Sequence, residues 1–447
     1  MVVDARTGYT YTQVVFIHKD VTLRGGYDAG DWDAEPDPSA HASVIDAQQH
    51  GRGISIVGTS TDWLSVTIDG FTVTGGNYTG LGNPPGGGWQ VCHADESVDC
   101  GGGVYVTYSS LLLRNSVVSN NVASDRDSSH GGGIYVYVVP PEGPGVSIEN
   151  SLIAGNSAPG SGSEGGGIFV DGLPSPLTIT HSALRDNFAD GRGGGLRLVG
   201  TAHGRVLVEN TEFISNATAA DAGGGAFIAL DSDGKSLVMD RVRFLGNRAD
   251  GLGGAALAAE VTGPYSPRAR LTNLVFGGNR NDSGAVLGVF NHTGARHFQV
   301  DMAHITAADN QAQSFLRAAA WGTDNRLTAT LTNTLLVSFT QAFVGSEGLN
   351  GEAIIRHTNT LADGVITLHH AQDGSPTFEA INPLSGDARL DSTYHLRPGS
   401  DAIDAGVDAG VTIDIDGESR IDYAPPDIGA DEYTTYRVFL PLVQRRQ

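Results

Sequence analysis

The stretch GGGLRLVGTAHGRVLVENTEFISN, residues 193–216, decides the fold, because variants of it recur along the chain. It opens with three glycines and a short apolar strand, and it closes with a second apolar block that ends in asparagine. Similar openings lie at 101–106, 131–136, 165–170, 223–228, 253–258 and 283–289. Such repetition predicts a solenoid, in which each unit buries its apolar face against the next.

The second block of each repeat ends in an asparagine, and these asparagines recur about every 31 residues, a period typical of repeat proteins. They are Asn121, Asn156, Asn187, Asn216, Asn247, Asn279 and Asn310. The residues three, eight and ten positions earlier are apolar in every repeat. Because positions eight and ten share one strand face, we predict stacked coils of about three strands each, spaced about 4.8 Å apart.

The asparagine column predicts a structural ladder. A buried asparagine at a turn can bond the backbone of the next coil and so satisfy groups that a tight corner would leave unpaired. A second, partly polar column lies six residues earlier and consists of Asn115, Asn150, His181, Asn210, Arg241, Asn273 and His304. We expect the glycine clusters to supply positive φ angles and close backbone approach at another corner.

The repeat resembles that of a known family. A GG[AG][ILV] opening followed by FxxN is the repeat of the polymorphic outer membrane proteins of chlamydiae and of many environmental bacterial surface proteins. FISN at 213–216, FLGN at 244–247 and FGGN at 276–279 match it, and the resemblance covers roughly residues 100–315. It implies an all-β fold, a right-handed parallel β-helix of the pectin-lyase-like type with coils of roughly 30 residues, and an adhesive role on a bacterial surface.

Five segments are expected along the chain. Residues 1–100 form N-terminal coils with a cysteine-containing loop, 101–315 carry the regular repeats, and 316–385 are decayed final coils. Residues 386–433, called the C-terminal module below, resemble a module that ends many secreted bacterial β-helices, and we expect it to cap the open end of the solenoid. The tail, 434–447, is apolar and then basic, which favours either a sorting signal or a last strand.

Composition limits the partners and the location. The 447 residues carry a net charge of −23, which argues against nucleic-acid binding because the surface repels phosphates. No apolar run approaches the ~20 residues of a membrane-spanning helix. We expect an extracellular or cell-surface protein, and since strand-like residues follow Met1 almost at once, we expect the natural start with its signal peptide to be missing.

Two groups of residues are candidates for sites. Cys92 and Cys100 are the only cysteines and share one loop, which predicts a local disulfide in an oxidising compartment. Four acidic residues are dense in the C-terminal module, and Asp-x-Asp-Gly turns often present oxygens to calcium. The calcium candidates are Asp414, Asp416, Asp427 and Asp431. The alternative is that these carboxylates bond nearby backbone amides in turns; no other cofactor is expected.

The sequence contains no evident catalytic constellation. Acidic residues occur near equivalent positions of several repeats, namely Glu149, Glu209, Glu212 and Asp240, but they form no concentrated patch. The leading hypothesis is therefore a structural or adhesive surface rod without catalysis, whose partners are cell-surface components or extracellular glycans. The alternative is a polysaccharide-binding or polysaccharide-degrading β-helix, which needs clustered acids for cleavage and aromatic residues for stacking on sugars. The scattered tryptophans are Trp32, Trp63, Trp89 and Trp321.

Overall fold

The structure, a computed structural model, is a parallel β-solenoid and confirms the predicted fold class. It describes residues 2–3, 10–11, 13–81, 99–126, 128–137, 145–172, 176–199, 204–231, 236–251, 253–292, 296–348, 350–420 and 425–434. This part of the chain is all-β and contains no helix, so no helix in it is suited to crossing a membrane.

The glycine-led strands stack into a parallel sheet of twelve described strands, called sheet 1. Its pairing follows the repeats, with Val104 opposite Ile134 and Ile134 opposite Ile168. Its strands are Gln13–Ile17, Arg52–Val57, Val104–Thr107, Ile134–Tyr137, Ile168–Asp171, Leu196–Val199, Ala226–Ala229, Gly254–Val261, Arg280–Asn291, Gln311–Trp321, Gln341–Gly348 and Thr367–Asp373.

The asparagine-ended blocks form the second large sheet, called sheet 2, with eighteen described strands. The early coils and the last coil contribute two short strands each, and the coils between them join the two into one strand that bends at its middle. Its strands are Val21–Arg24, Ser43–Asp46, Leu64–Asp69, Phe71–Thr74, Ser109–Arg114, Val117–Ser119, Val146–Glu149, Leu152–Ala154, Leu177–Thr180, Ala183–Arg185, Arg205–Ile214, Ser236–Leu245, Arg268–Gly277, His297–Ala308, Arg326–Val337, Glu352–Asp363, Thr377–Ile381 and Leu384–Ser385.

Three small sheets complete the described strands. A parallel sheet follows the asparagines and contains Ser157–Ala158, Phe188–Ala189 and Ala217–Thr218. A parallel pair contains Asp99–Cys100 and Ser129–His130, and an antiparallel pair near the N-terminus contains Val2–Val3 and Thr10–Tyr11.

The core consists of the columns that the sequence predicts. The apolar residues three, eight and ten positions before each asparagine are buried, and each lies above its counterpart in the next coil. Phe213, Phe244 and Phe276 stack with ring centroids 4.8 and 5.3 Å apart. Stacking of like side chains from coil to coil thus fills the interior. Each coil buries its apolar face only against its neighbours.

The glycine triplets form the corner that precedes sheet 1. The first glycine of each of the five complete triplets has a φ between 67° and 73°, a region that glycine adopts without steric cost. The second glycine allows close approach: a Cβ on Gly194 would lie 2.4 Å from the Ala217 carbonyl oxygen and 2.6 Å from that of Gly224. The expectation of positive φ and close backbone contact at this corner is therefore confirmed.

The described part of the C-terminal module, 386–420 and 425–434, lies along the side of the solenoid, and the expectation that the module caps the open end stays a prediction. Ile415 and Ala430 pack on Val275, and Leu396 and Ile428 belong to a cluster with Leu335. The physical reason is an outward column of sheet 2 that, apart from Thr306, is apolar in the later coils. Its buried members are Val275, Thr306, Leu335 and Leu361, in register on successive strands.

Candidate functional site

The seven predicted asparagines form one buried stack at the corner after sheet 2. Each side chain of the stack is at most 9% exposed. In the middle of the stack, the Asn187 amide nitrogen donates to the Ile153 carbonyl at 2.9 Å and to Asn216 Oδ1 at 2.9 Å. The Asn187 backbone N–H also donates to Asn216 Oδ1, at 3.1 Å. The same pattern links each member from Asn121 to Asn279 to the next coil. The stack is structural, because it is closed to solvent and its bonds join coil to coil.

The residues of the second polar column share a backbone conformation that their residue types did not predict. All of its members have a left-handed backbone, with φ between 45° and 56°. The column continues beyond the predicted residues with Asn333, Asn359 and Asn382. Each member bends its strand at the middle of sheet 2, which explains the preference for asparagine and histidine, the side chains that most readily tolerate this conformation.

The side chains of this column, called the corner column below, form an outer ladder. Asn150 Nδ2 donates to Asn115 Oδ1 at 2.8 Å, and Asn210 Nδ2 lies 3.3 Å from His181 Nε2. Arg241 Nε donates to Asn210 Oδ1 at 2.7 Å. A carboxamide carries two N–H donors and two acceptor lone pairs, so these bonds use only part of its hydrogen-bonding capacity.

Part of the corner column lines a groove of about 1200 Å³ on the flank of the solenoid. Residues 36–39 of an N-terminal loop bound it, and the C-terminal module bounds it with Thr393, His395, Ile415 and Asp416. Three columns of the coils line it: the corner column from Asn115 to Arg241, a hydroxyl column from Ser116 to Thr211, and a mixed column from Val117 to Arg243. Five coils at about 4.8 Å spacing make the lined length about 19 Å.

The charges in the groove are close to balance. Arg241 pairs with Glu209 and, at 2.8 Å, with Asp240. Arg243 pairs with Asp416 at 2.6 Å, and Asp416 also lies 2.6 Å from His395 Nε2. Each cation therefore has acidic partners, and the groove presents polar groups without a strong field of either sign.

The groove and the C-terminal module occupy one continuous face. From Asn273 to Asn359, the same corner column lies beneath the module, where its side chains are fully or almost fully buried. There Asn273 donates to the Ile413 carbonyl at 3.0 Å, Asn333 to that of Val407 at 2.7 Å, and Asn359 to that of Ala405 at 2.9 Å. The column thus donates hydrogen bonds from several coils to backbone carbonyl oxygens of the module.

The calcium candidates do not converge on one site. Asp414 accepts the backbone N–H groups of Asp416 and Glu418 at 2.9 and 2.7 Å. Asp427 accepts those of Asp404 and Tyr433, at 2.7 and 2.6 Å. These contacts correspond to the alternative interpretation, in which the carboxylates stabilise turns.

Two of the four candidates, Asp416 and Asp431, do lie together with His395, with potential ligand atoms within 4.8 Å of one another. Asp431 accepts the Leu396 N–H at 2.7 Å, and burial raises the pKa of Asp431 to about 6. The Arg243 guanidinium beside Asp416 opposes a cation there. The donor set therefore fits a calcium ion poorly, since calcium prefers six to eight oxygen ligands.

The remaining candidates are separate from the groove or lie outside the described residues. Cys100 is buried, and Cys92 lies outside the described residues together with Trp89 and the tail from 435, so the disulfide stays a prediction. Trp63 packs edge-on against Tyr108, and Trp321 stacks on Phe290. Trp32 is 71% exposed and stacks on Tyr27.

A second charged cluster lies on the outer side of sheet 1. Arg192 Nε pairs with Asp221 at 2.7 Å, and Glu260 lies 3.6 Å from Arg192 Nη1 and 3.3 Å from His292 Nε2. Burial raises the pKa of Glu260, but the His292 hydrogen bond and nearby arginines outweigh it and hold this pKa below its ordinary value. Glu260 is thus ionised at neutral pH and is a poor general acid.

The fold and the groove define the class of the protein as a parallel β-solenoid with a flank groove of mixed polar and apolar lining. A search with models of known protein families finds no match to the chain. A search of curated proteins finds no significant relative.

Proposed function

We propose that the protein is a non-catalytic, rod-like binding protein of the cell surface that holds an extended, uncharged polysaccharide in the flank groove. The observation that carries this proposal is the corner column, which repeats planar polar side chains at coil spacing along the groove floor. The resemblance of the repeat to polymorphic outer membrane proteins supports the surface location and the adhesive role.

Three features favour a glycan over a peptide. The coil spacing of about 4.8 Å is close to the length of one sugar unit, so successive coils meet successive units. Neighbouring coils pair their strands across the groove floor, so an added peptide strand finds no open sheet edge there. The exposed Trp32 belongs to the loop whose residues 36–39 bound the groove, and exposed indole rings stack on sugar faces.

Charge favours a neutral chain over a polyuronide. Each groove arginine is paired with carboxylates, and hydrogen bonds from Ser39 lower the pKa of Asp37, which keeps this groove residue ionised. The net charge of −23 adds a repulsion that any polyanion must overcome.

The test is binding of soluble neutral and anionic oligosaccharides by calorimetry, followed by sizing of the sugar chains by mass spectrometry. We expect saturable binding of a neutral oligosaccharide and unchanged chain length. The double variant Asn150→Gly, His181→Gly removes two ladder side chains while glycine keeps the left-handed backbone. It should weaken binding about tenfold or more, through the loss of several hydrogen bonds.

Asn382→Gly is the matched control. Asn382 belongs to the same column, with a φ of 50°, but does not line the groove. This variant should bind as the wild type does. Equal loss in both variants, or binding of peptides alone, would contradict the proposal, and shortened sugar chains would favour the degrading-enzyme alternative.

A further inference from the structure

A small pocket lies on the outer side of sheet 1 near the C-terminal end of the solenoid, away from the flank groove. It has a volume of about 200 Å³, enough for several waters or one small ion. Arg317, Val344 and His370 lie in register on three successive strands and line it. Ser283 and Gly284 of the preceding strand, Arg280–Asn291, also line it.

The lining suits an anion. Arg317 is 7% exposed, and the other polar groups in the wall carry N–H or O–H donors. They are Ser283, Gln313, Ser314, Gln341, His370 and Gln372. No carboxylate belongs to the lining of this pocket within the described residues. A guanidinium surrounded by neutral donors is unusual in a chain with a net charge of −23, and it is the arrangement that recognises planar or tetrahedral oxyanions.

The charge of Asp373 acts on Arg317. Asp373 lies outside the lining, is exposed, and accepts the Ser346 hydroxyl at 3.2 Å. Burial lowers the pKa of Arg317, and the Asp373 charge acts in the opposite direction. Asp373 therefore weakens the attraction between Arg317 and an incoming anion. Removal of the Asp373 charge changes this attraction without altering the donors in the pocket wall.

We infer that this pocket binds one oxyanion, a sulfate, phosphate or carboxylate group, through Arg317 and the surrounding amide and hydroxyl donors. The group can come from a free inorganic ion or from an anionic substituent of a sugar. The pocket is too small for a chain, and it is a site separate from the groove.

The test is calorimetric titration of the full chain with sodium sulfate, with a sulfated monosaccharide and with the same sugar unsulfated, at constant ionic strength set with chloride. We expect saturable binding of both sulfated ligands and none of the unsulfated sugar. Tighter binding of the sulfated sugar than of sulfate assigns the site to glycan substituents, and the reverse order assigns it to the free ion. Arg317→Met should weaken binding about tenfold or more, because a charge-assisted hydrogen bond is lost.

Two further variants keep the test independent of folding. Arg356→Met removes the same charge from an exposed ion pair with Glu379 at the same end of the solenoid, and it should leave sulfate binding unchanged. Asp373→Asn should tighten binding several-fold, whereas a purely structural Arg317 would show no such response. Absence of saturable sulfate binding to the wild type, or binding that survives Arg317→Met, would overturn the inference.

Discussion

His304 is a fully buried histidine of the corner column that joins the solenoid to the C-terminal module. Its Nδ1 lies 3.2 Å from the Gly429 carbonyl oxygen, and its Nε2 lies 3.2 Å from Asn333 Nδ2. A neutral ring satisfies both contacts, with Nδ1–H donating and Nε2 accepting. Burial, reinforced by the charge of Arg420, lowers the pKa of His304 to about 3.

This pKa predicts acid-sensitive docking of the C-terminal module. Because the folded-state pKa lies below the unfolded value of about 6.5, the unfolded state binds more protons between these values, and stability falls as the pH falls below about 6.5. At pH 5 the contribution of His304 to the free energy of unfolding should be reduced by about 2 kcal/mol. The measurement is the melting temperature of wild type and His304→Asn from pH 7.5 to pH 4.5.

The variant retains a residue that tolerates the φ of 56° but does not titrate, so its melting temperature should fall less steeply with acid. Asp431 acts in the opposite sense, since burial raises its pKa to about 6, but it contributes to both proteins and cancels in the comparison. Parallel pH profiles for the two proteins would contradict the assignment.

At the residue scale, the sequence predicted the buried asparagine stack better than the backbone conformation of the corner column. The seven stacked asparagines stand out because each ends an apolar block at a constant offset, and their burial follows from that pattern. The corner column was visible only as a run of mixed polar types, and the left-handed backbone it shares has no strict residue code. Arg241 shows the difficulty, since an arginine at a φ of 53° gives no local signal of its conformation.

At the scale of the strand and its corner, the glycine triplets make a prediction about close packing. Gly194→Ala places a Cβ 2.4 Å from the Ala217 carbonyl oxygen and 2.6 Å from that of Gly224. Ala217 belongs to the small parallel sheet, and the Gly224 oxygen accepts the Gly195 N–H at 3.0 Å, so the backbone must shift to relieve the clash. We expect a loss of about 2–4 kcal/mol in the free energy of unfolding, measured by urea denaturation.

Gly30→Ala is the control for this substitution. Gly30 is exposed, and the nearest atom to a Cβ there is Asp28 Oδ1 at 3.4 Å. Its effect should stay within about 0.5 kcal/mol. A comparable loss in both variants would mean that chain entropy, and not the carbonyl contact, explains the need for glycine.

At the scale of the element, the sequence predicted the strands best and the placement of the C-terminal module least. Alternating apolar residues and glycine corners act within one coil and its neighbour, so a repeat exposes them. The contact of Arg243 with Asp416 joins residues 173 positions apart, and no repeat points to it. The sequence shows that Val275, Leu335 and Leu361 are apolar. It does not predict that a module from the end of the chain covers them.

At the scale of the whole molecule, the flank-docked module changes how stability is distributed. A solenoid gains its stability from nearest-neighbour contacts, so its coils can open separately. The module contacts strands from Ser236–Leu245 to Glu352–Asp363, and it therefore ties five coils together. The coils before them, from Ser109–Arg114 to Arg205–Ile214, have the open groove in the equivalent place.

Arg420 is the residue through which this coupling can be tested. Its buried guanidinium pairs with Glu432 at 2.9 Å, bonds Asn273 Oδ1 at 3.1 Å and also bonds the Ala430 carbonyl. Arg420→Met breaks the ion pair with Glu432 and removes the donor to Asn273 Oδ1, whose burial without a donor costs about 1–3 kcal/mol. Glu432 and the Ala430 carbonyl keep the backbone N–H groups of Asp427 and Ile415 as donors, at 3.0 Å each. Hydrogen exchange followed by mass spectrometry should then show faster exchange in the module and in the five coils beneath it.

The four groove-lining coils before them, from Ser109–Arg114 to Arg205–Ile214, should keep wild-type exchange, because their contacts do not pass through Arg420. Arg389→Met, which breaks an exposed ion pair with Asp387 inside the same module, should change neither region, since exposed pairs contribute little. Faster exchange that spreads evenly over all coils would mean that the solenoid unfolds as one unit. Faster exchange confined to the module and the coils beneath it would show that the module makes these coils more rigid. The groove-lining coils before them would then be free to adapt to a ligand.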